Sequence, residues 1–293
     1  MKSSKIIIKS LLPPFFYNFL KHFKWKILIL LGKKTAYRKI ICFDYNKVKN
    51  FNQDVWSSHH WVNQKKSASN LYKINPTLHL EVINSVLKIL KFTKKEKKIT
   101  FIDYGGGFGG IIPVIDFYSE QLKIELDTII IDNKYNIKLG HQFFSNRSNI
   151  RFLEQTTILK NRYFKQALNN NNCIFNISSV IQYIHPYKEF LKSVLSIGKP
   201  LFVCITRFPV CENAIQDAFG VQDITTPSGY CGSVVVNLFA KNSLIEIMHQ
   251  LGYELIIKDF NFVGDANYFI NCEDKKYKLM TLMAYVFIRS DLR

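Results

Sequence analysis

The chain has 293 residues, of which 47% are hydrophobic and 21% are charged. This composition is typical of a folded globular protein and excludes wholesale disorder. The formal net charge is +18, with +11 in residues 1–50, +6 in residues 51–98 and only +1 in residues 99–293. Because the charge is confined to the first third, and 33 of the 40 basic residues are Lys, the sequence argues against a nucleic-acid partner, for which Arg is the usual reader of bases.

The first 98 residues form a basic and aromatic segment for which we expect helical structure. Residues 11–32 mix aromatic and apolar side chains with Lys, a pattern typical of a helix on an anionic membrane surface. We therefore expect residues 1–35 to contact a membrane; the alternative is a helix packed on the body with its Lys side chains in solvent. A further helix is expected from Asn75, since Pro76 suits a first helical position.

The N-terminal sequence and the cysteines indicate the compartment. Lys9 and Pro13–Pro14 interrupt the first apolar run, and no small-residue cleavage site follows, so we expect no signal peptide. The six cysteines are scattered without a C-x-x-C pair, and no His stands at metal-ligand spacing. We expect a cytoplasmic protein without a metal, at the inner face of the cytoplasmic membrane if the N-terminal segment binds lipid.

From residue 99 onward, apolar strands alternate with helices, which predicts a mainly parallel sheet covered on both faces. The predicted strands are 99–103, 127–132, 150–153, 173–178, 200–206, 253–260 and 279–289, and the predicted helices are 111–118, 134–145, 186–196 and 242–251. Residues 99–293 should therefore form one α/β domain with a Rossmann-like, doubly wound, seven-stranded sheet whose last strand is antiparallel. The segment 207–240 is much longer than an ordinary connection of about 2–6 residues, and we expect it to be a lid or substrate pocket.

A glycine-rich turn follows the first strand of this domain. It reads Asp103-Tyr-Gly105-Gly-Gly107-Phe-Gly109-Gly110 and leads into a helix, which is the arrangement of a nucleotide cradle. Two patterns overlap in it. The spacing of Gly105, Gly107 and Gly110 fits a dinucleotide site, whereas Asp103, Gly105, Gly107 and Gly109 fit the pattern of S-adenosylmethionine-dependent methyltransferases.

Asp103 favours the second pattern. Its carboxylate would repel the pyrophosphate of a dinucleotide but would attract the ammonium and sulfonium of S-adenosylmethionine. Asp132 ends the second strand, 23 residues beyond Gly109, and an acid at this place can accept hydrogen bonds from ribose hydroxyls. An acid at this place is expected in a dinucleotide site and in an S-adenosylmethionine site alike, so Asp132 does not distinguish them.

At this point the chain resembles class I S-adenosylmethionine-dependent methyltransferases. Three stretches resemble, more narrowly, a methyltransferase family of bacterial gene clusters for surface polysaccharide (O-antigen or capsule): residues 56–62 (WSSHHWV), 176–191 (NISSVIQYIHPYKEFL) and 206–209 (TRFP). The resemblance covers roughly residues 50–290. It implies a donor site, with S-adenosyl-L-methionine as cofactor, made of Asp103, Gly105, Gly107, Gly109, Asp132, Glu154, Ser178 and Ser179. Glu154 and Gln155 both follow the third predicted strand, where such enzymes usually contact the adenine edge. The Asp that the family usually has at this place is absent here.

Methyl transfer depends on positioning and on a base if the acceptor is a hydroxyl or an amine. The predicted catalytic residues are His185 as the base, Tyr183 as an orienting group and Arg207 as a partner for an anion. His59 and His60 are further candidates for the base. We expect Gln182 to orient the acceptor, Tyr230 and Arg207 to face it, and Trp56 and Trp61 to stack on a sugar or anchor the N-terminal segment.

The sequence thus predicts an enzyme that methylates a hydroxyl of a sugar in surface-glycan biosynthesis. The partner would be a glycan or a nucleotide-linked or lipid-linked sugar. Two alternatives remain, a donor-binding scaffold without efficient catalysis and a nicotinamide-dependent oxidoreductase. Methylation of nucleic acid is disfavoured, since the fourth strand is not followed by the Pro-Pro motif of enzymes that act on base amines.

Overall fold

The computed structural model describes residues 37–61, 63, 83, 85–89, 98–226, 229–262, 275–278 and 280–292. The strands are β1 (Tyr37–Cys42), β2 (Lys98–Tyr104), β3 (Glu125–Asp132), β4 (Ile150–Glu154), β5 (Cys173–Ser178), β6 (Phe202–Cys211), β7 (Ala218–Thr226), β8 (Gly229–Ala240), β9 (Tyr253–Phe262) and β10 (Thr281–Arg289). The helices are α1 (Ile112–Leu122), α2 (Lys134–Phe143), α3 (Arg162–Leu168), α4 (Tyr187–Ile197), α5 (Ser243–Gln250) and α6 (Lys275–Lys278).

Seven strands form the predicted Rossmann-like sheet in the order β4-β3-β2-β5-β6-β10-β9. The contacts of β2 with β3 and β5, of β3 with β4 and of β5 with β6 are parallel. The last strand, β10, is antiparallel to both of its neighbours, β6 and β9. The sequence prediction of fold class is therefore confirmed.

Both faces of this sheet are covered, which explains why its strands are almost continuously apolar. In β2, Ile99 and Phe101 pack towards α1, whereas Ile102 and Tyr104 belong to the core shared with α3, α4 and α5. Six of the seven residues of β2 are buried. Chain order reverses between β3 and β5 on either side of β2, so a crevice opens at the carboxyl ends of these strands.

The described residues contain ten strands rather than the seven expected. The segment 207–240 continues β6 to Cys211 and then forms a β7–β8 hairpin, which joins β6 through the pair Val210–Phe239. Strand β1 adds to the free edge of β7. The run Val234-Val-Val-Asn-Leu-Phe in β8 is buried and extends the core, so the insert is part of the sheet as well as a wall of the crevice.

The N-terminal segment, expected to be helical, contains strand β1 and two short 3₁₀ turns, Tyr45–Lys47 and Lys49–Phe51, while residues 59–61 and 63 are helical. Residues 83 and 85–89 are helical, in agreement with the helix expected after Asn75; its beginning lies outside the described residues. Residues 1–35, for which we expected membrane contact, also lie outside them. In the part of the chain that is described, no helix is long and apolar enough to cross a membrane.

Candidate active site

A cavity of about 1090 Å³ opens at the carboxyl ends of β2, β3 and β5 and beside Arg207 in the middle of β6. Eight of the predicted site residues line it: Asp103, Gly105, Gly107, Asp132, Ser178, Ser179, Tyr183 and Arg207. Three others, Gly109, Glu154 and His185, are not among the lining residues. The fold thus brings together residues of four strands that are far apart in the sequence.

The glycine turn needs its glycines for three different reasons. Gly105, Gly107 and Gly109 have φ angles of +74°, +63° and +92°, which favour glycine over other residues. A Cβ on Gly105 would lie 2.2 Å from Val180, and one on Gly106 would lie 2.4 Å from the Asp103 carboxylate. A Cβ on Gly107 would meet nothing within 4 Å, so this residue presents bare backbone to the open cavity.

Gly109 packs the turn rather than lining the cavity. Its Cβ would lie 2.5 Å from Ile112 at the start of α1. Gly109, which we predict to contact the cofactor, therefore packs between the turn and the helix, while the neighbouring Gly110 lines the cavity.

Asp132 is fixed by three hydrogen bonds at the end of β3. Its Oδ2 accepts from the backbone N–H of Gly107 at 2.8 Å, and its Oδ1 accepts from Asn133 N and Asn136 Nδ2, both at 2.7 Å. Asn133 in turn caps α2, accepting from the N–H groups of Tyr135 and Asn136. The carboxylate thus has a defined orientation against the glycine turn and retains lone pairs for a ligand hydroxyl.

Asp103 is buried and accepts a hydrogen bond of 2.7 Å from Asn176 Nδ2 on β5. Burial raises the pKa of its carboxyl to about 7, aided by the nearby negative charge of Asp132, while the Asn176 hydrogen bond acts in the opposite direction. Near neutral pH the free protein therefore keeps this carboxyl only partly ionised. A cation bound beside it would favour the ionised form.

At the end of β4, Gln155 rather than Glu154 lines the cavity. The strand ends at Glu154, and the chain turns there into the 3₁₀ helix Gln155–Lys160. This turn directs the next residue, Gln155, to the crevice, and its side chain interacts with the Tyr104 hydroxyl. Of the two predicted neighbours, Gln155 is therefore the one placed to contact a ligand in the cavity.

Part of the cavity lining is aromatic. Trp56 makes edge contacts with Trp61 and Tyr183, at ring-centroid distances of 4.9 Å and 5.0 Å. The Tyr183 hydroxyl donates a 2.9 Å hydrogen bond to Gln222 Oε1 of β7. Burial raises the pKa of Tyr183 to about 12, so this phenol stays neutral and serves to orient groups rather than to remove protons. We call Trp56, Trp61, Tyr183, Gln182, Gln222 and Arg207 the acceptor wall.

The N-terminal residues of this wall are attached to the hairpin by hydrogen bonds. Gln53 N donates to Ser233 O and Gln53 Oε1 accepts from Ser233 N, both at 2.9 Å. Asn52 Oδ1 accepts from Val235 N at 3.3 Å. A Cβ on Gly232 would lie 2.4 Å from Gln53 Oε1, so the absence of a side chain at Gly232 allows this close attachment.

The predicted base, His185, occupies a structural place. Its Nδ1 lies 3.2 Å from Asn237 Oδ1 and its Nε2 lies 3.0 Å from Val235 O, while its ring stacks on Tyr45. Burial lowers the pKa of His185 against the opposite effect of these two hydrogen bonds. Since both ring nitrogens face oxygens of β8 and neither lines the cavity, the geometry argues against a base and for a link between α4 and β8.

Other predicted residues are distributed between the wall and its surroundings. His59 Nε2 lies 2.8 Å from Asn63 Nδ2, and neither His59 nor His60 lines the cavity. Tyr230 lies in β8, but its side chain is outside the described set.

Sequence reasoning missed Asn176, Asn52 and Gln222. Asn176 alone had a visible signal, as a polar residue inside an otherwise apolar strand.

No known protein family matches the chain, and no curated protein is recognisably similar to it. Solved structures with related folds include an S-adenosylmethionine-dependent methyltransferase from Clostridium acetobutylicum (9% identity, TM-score 0.44, 84% of this chain and 98% of that one). Another is the 1,6-didemethyltoxoflavin-N1-methyltransferase of Burkholderia thailandensis (11%, 0.40, 78% and 88%). A third is the [4+2]-cyclase SpnF (10%, 0.44, 70% and 80%).

Proposed function

We propose that the chain is an S-adenosylmethionine-dependent methyltransferase that methylates a hydroxyl group, with a sugar of surface-glycan biosynthesis as the acceptor. The observation that carries this proposal is the pair of carboxylates at the glycine turn. Asp103 directly precedes the turn and Asp132 accepts a hydrogen bond from Gly107 N, whereas Arg207 is the one cationic side chain among the described lining residues.

This distribution of charge suits the methyl donor. The ribose hydroxyls would donate to Asp132, whose position against Gly107 is already fixed by a 2.8 Å hydrogen bond. The methionine ammonium would lie near Asp103, where its positive charge would compensate the cost of ionising a buried carboxyl. The open side of Gly107 leaves room for the ligand to approach the backbone. The residues present therefore fit the donor.

The same charges disfavour a nicotinamide cofactor. A dinucleotide would bring a pyrophosphate to the glycine turn, within reach of the Asp103 carboxylate, and Arg207 on β6 is the one cationic side chain among the described lining residues. Coulomb repulsion in a partly buried site is costly. The charges in the cavity therefore favour methyl transfer over oxidoreductase activity.

Bound S-adenosylmethionine would supply an activated methyl group on its sulfonium. What this chain contributes is orientation and exclusion of water. Ser178 and Ser179 end β5 between the glycine turn and the acceptor wall, and Ser178 Oγ accepts from Thr206 Oγ1 at 2.9 Å. Trp56 and Trp61 offer apolar faces on which a sugar ring can stack.

One observation favours the scaffold alternative. The described residues that line the cavity include no His, Lys or Cys, and Tyr183 has a raised pKa. The remaining candidate for a base is Asp54, a carboxylate of the N-terminal segment that lines the cavity. It accepts hydrogen bonds from both Ser57 N and Ser57 Oγ. If Asp54 does not take the acceptor proton, the protein would bind the donor without efficient catalysis.

Thermal unfolding with S-adenosylmethionine, S-adenosylhomocysteine and NADH tests the donor. A ligand at about 100 times its dissociation constant adds about 2.7 kcal/mol to the free energy of unfolding. We expect both sulfur nucleosides, and not NADH, to raise the midpoint; the reverse result would overturn the proposal.

The acceptor is tested by mass spectrometry of surface glycans from wild-type and deletion strains. We expect the deletion strain to lack one methyl group on a sugar. Restoration by a plasmid-borne wild-type gene but not by Asp132→Asn would tie that methyl group to this cavity, and identical glycans in the two strains would refute the sugar acceptor.

A further inference from the structure

Two residues that line the cavity have a backbone conformation that residues other than glycine rarely adopt. Ser179 and Arg207 both have a φ of +59°. The third such residue in the described chain, Lys123, is the left-handed C-cap of α1 and needs no functional explanation. Strain of this kind persists where the surrounding structure enforces it, and it concentrates at functional sites.

The strain at Arg207 comes from a β-bulge. In the pairing of β6 with β10, Phe208 faces Met283 and Thr206 faces Ala284, so Arg207 is an extra residue on β6. A bulge of this type changes the direction of a side chain relative to the regular alternation of a strand. Here the residues on either side of Arg207 are buried, whereas Arg207 is exposed and lines the cavity.

Gln182 connects the two strained residues. Its Nε2 lies 3.4 Å from Ser179 Oγ and 3.5 Å from Arg207 O. Gln182 is 5% exposed and lines the cavity, and its Oε1 is buried without a hydrogen-bond partner. A buried amide oxygen left unpaired costs free energy that a ligand hydroxyl or N–H can recover.

The bulge therefore combines a cation and a hydrogen-bond acceptor at one place on the acceptor wall. A guanidinium pairs with the two oxygens of a carboxylate or phosphate in a bidentate geometry. Arg207 is the one cationic side chain among the described lining residues, whereas Asp54, Asp103 and Asp132 are carboxylates. An anionic group on the acceptor would thus be directed to Arg207 and away from these three carboxylates.

We propose that Arg207, with Gln182 as its positioning residue, forms an oxyanion subsite, so that the acceptor carries a phosphate or carboxylate group. This inference rests on the proposed methyltransferase function and specifies its substrate class. Gln182 holds the bulge through Ser179 and the Arg207 backbone, and its Oε1 accepts from a hydrogen-bond donor on the acceptor. The shared chemistry is a group with two or more oxygens that carries a negative charge.

The test uses the full chain saturated with S-adenosylhomocysteine, titrated at constant ionic strength with inorganic phosphate and, separately, with acetate. The readout is the thermal unfolding midpoint as a function of anion concentration. We expect at least one anion to raise the midpoint in a saturable way, and Arg207→Gln to weaken its apparent affinity at least tenfold. A response to phosphate but not acetate, or the reverse, identifies the source of the oxyanion.

Arg151→Gln is the matched control, since Arg151 is an exposed Arg that stacks on Tyr163 outside the cavity. It removes the same charge and should leave the response unchanged. Arg207→Gly should lose the response while unfolding at a higher temperature than Arg207→Gln, because glycine relieves the left-handed strain. Gln182→Leu should weaken the response while retaining the fold.

Two results would overturn the subsite: no saturable response in the wild-type protein, or a response that Arg207→Gln leaves intact. Failure of the proposed function looks different. In that case S-adenosylhomocysteine alone would not raise the midpoint, whether or not the anions do.

Discussion

The backbone N–H of Gly107 donates a 2.8 Å hydrogen bond to Asp132 Oδ2, joining the turn after β2 to the end of β3. These residues are 25 positions apart in the sequence. The contact fixes the carboxylate on the same side as the open face of Gly107, where a Cβ would meet nothing within 4 Å. Asp132, the proposed ribose contact, and the glycine turn therefore form one unit.

We expect the affinity for S-adenosylhomocysteine to depend on pH through Asp103. The pKa of this carboxyl is raised to about 7 in the free protein, and the ligand ammonium would favour its ionised form. Below about pH 7 binding must therefore release a proton, and affinity should fall by up to about tenfold for each pH unit. Titration calorimetry between pH 5 and pH 8.5 measures this.

The controls for this prediction are a ligand and a variant. 5′-Methylthioadenosine lacks the amino-acid part and should bind with no such dependence, and Asp103→Asn should bind S-adenosylhomocysteine weakly at every pH.

A raised carboxyl pKa stabilises the fold below the unfolded value of 3.8, and this contribution is lost as pH rises towards 7. Asp103→Asn should consequently gain stability relative to wild type at pH 8 more than at pH 4. A flat pH profile for wild-type binding would contradict the role of Asp103.

Gly107→Ala should block the donor while leaving the protein folded. The added methyl group faces open cavity, and the left-handed backbone costs only about 1–2 kcal/mol. Gly252→Ala is the matched control, because Gly252 also has a positive φ and no atom near its Cβ, but lies outside the cavity. Both variants should lose similar stability, and Gly107→Ala alone should lose binding of S-adenosylhomocysteine. Equal binding by the two variants would show that Gly107 does not face the donor.

Much of the cavity lining at the glycine turn could be predicted from the sequence because its residues are local to strand ends. Asp103 and Asp132 each end an apolar run, and parallel strands bring such ends to one edge. The bulge at Arg207 could not be predicted, since it depends on the register between β6 and β10. The contacts of His185 could not be predicted for a similar reason, since its partners Val235 and Asn237 lie about 50 residues away on an unpredicted hairpin.

Gln53→Ala should loosen the aromatic wall without affecting the donor. The substitution removes the hydrogen bond from Ser233 N to Gln53 Oε1 and should cost about 1 kcal/mol. Trp56 and Trp61 follow closely in the same segment, so acrylamide should quench tryptophan fluorescence more strongly. Gln121→Ala, at an exposed position of α1, is the control. Unchanged quenching would mean that Gln53 does not hold the wall in place.

His185→Gln should destabilise the fold without changing donor affinity. Because burial lowers the pKa of His185, the folded state binds fewer protons than the unfolded state near pH 6. Neutral His185 therefore contributes to the free energy of unfolding at pH values above its unfolded-state pKa of about 6.5. This contribution is lost as the pH falls through the lower folded-state pKa. The stability difference between wild type and variant should shrink below pH 6.5, measured by urea unfolding.

His249→Gln, at an exposed position of α5, should show no such change. If His185→Gln instead preserved stability but abolished methyl transfer, His185 would be a catalytic residue after all.

The most direct measurement is calorimetric titration of the wild-type chain and Asp132→Asn with S-adenosylhomocysteine and NADH. Asp127→Asn provides the control, because Asp127 lies on the same strand but pairs with Lys98 at the other end of it. Hydrogen bonds to a charged group contribute about 1.5–3 kcal/mol each. We predict that wild type and Asp127→Asn bind S-adenosylhomocysteine at least about tenfold more tightly than Asp132→Asn and do not bind NADH. Binding of NADH without binding of S-adenosylhomocysteine, or equal affinity in Asp132→Asn, would contradict a methyl-donor site.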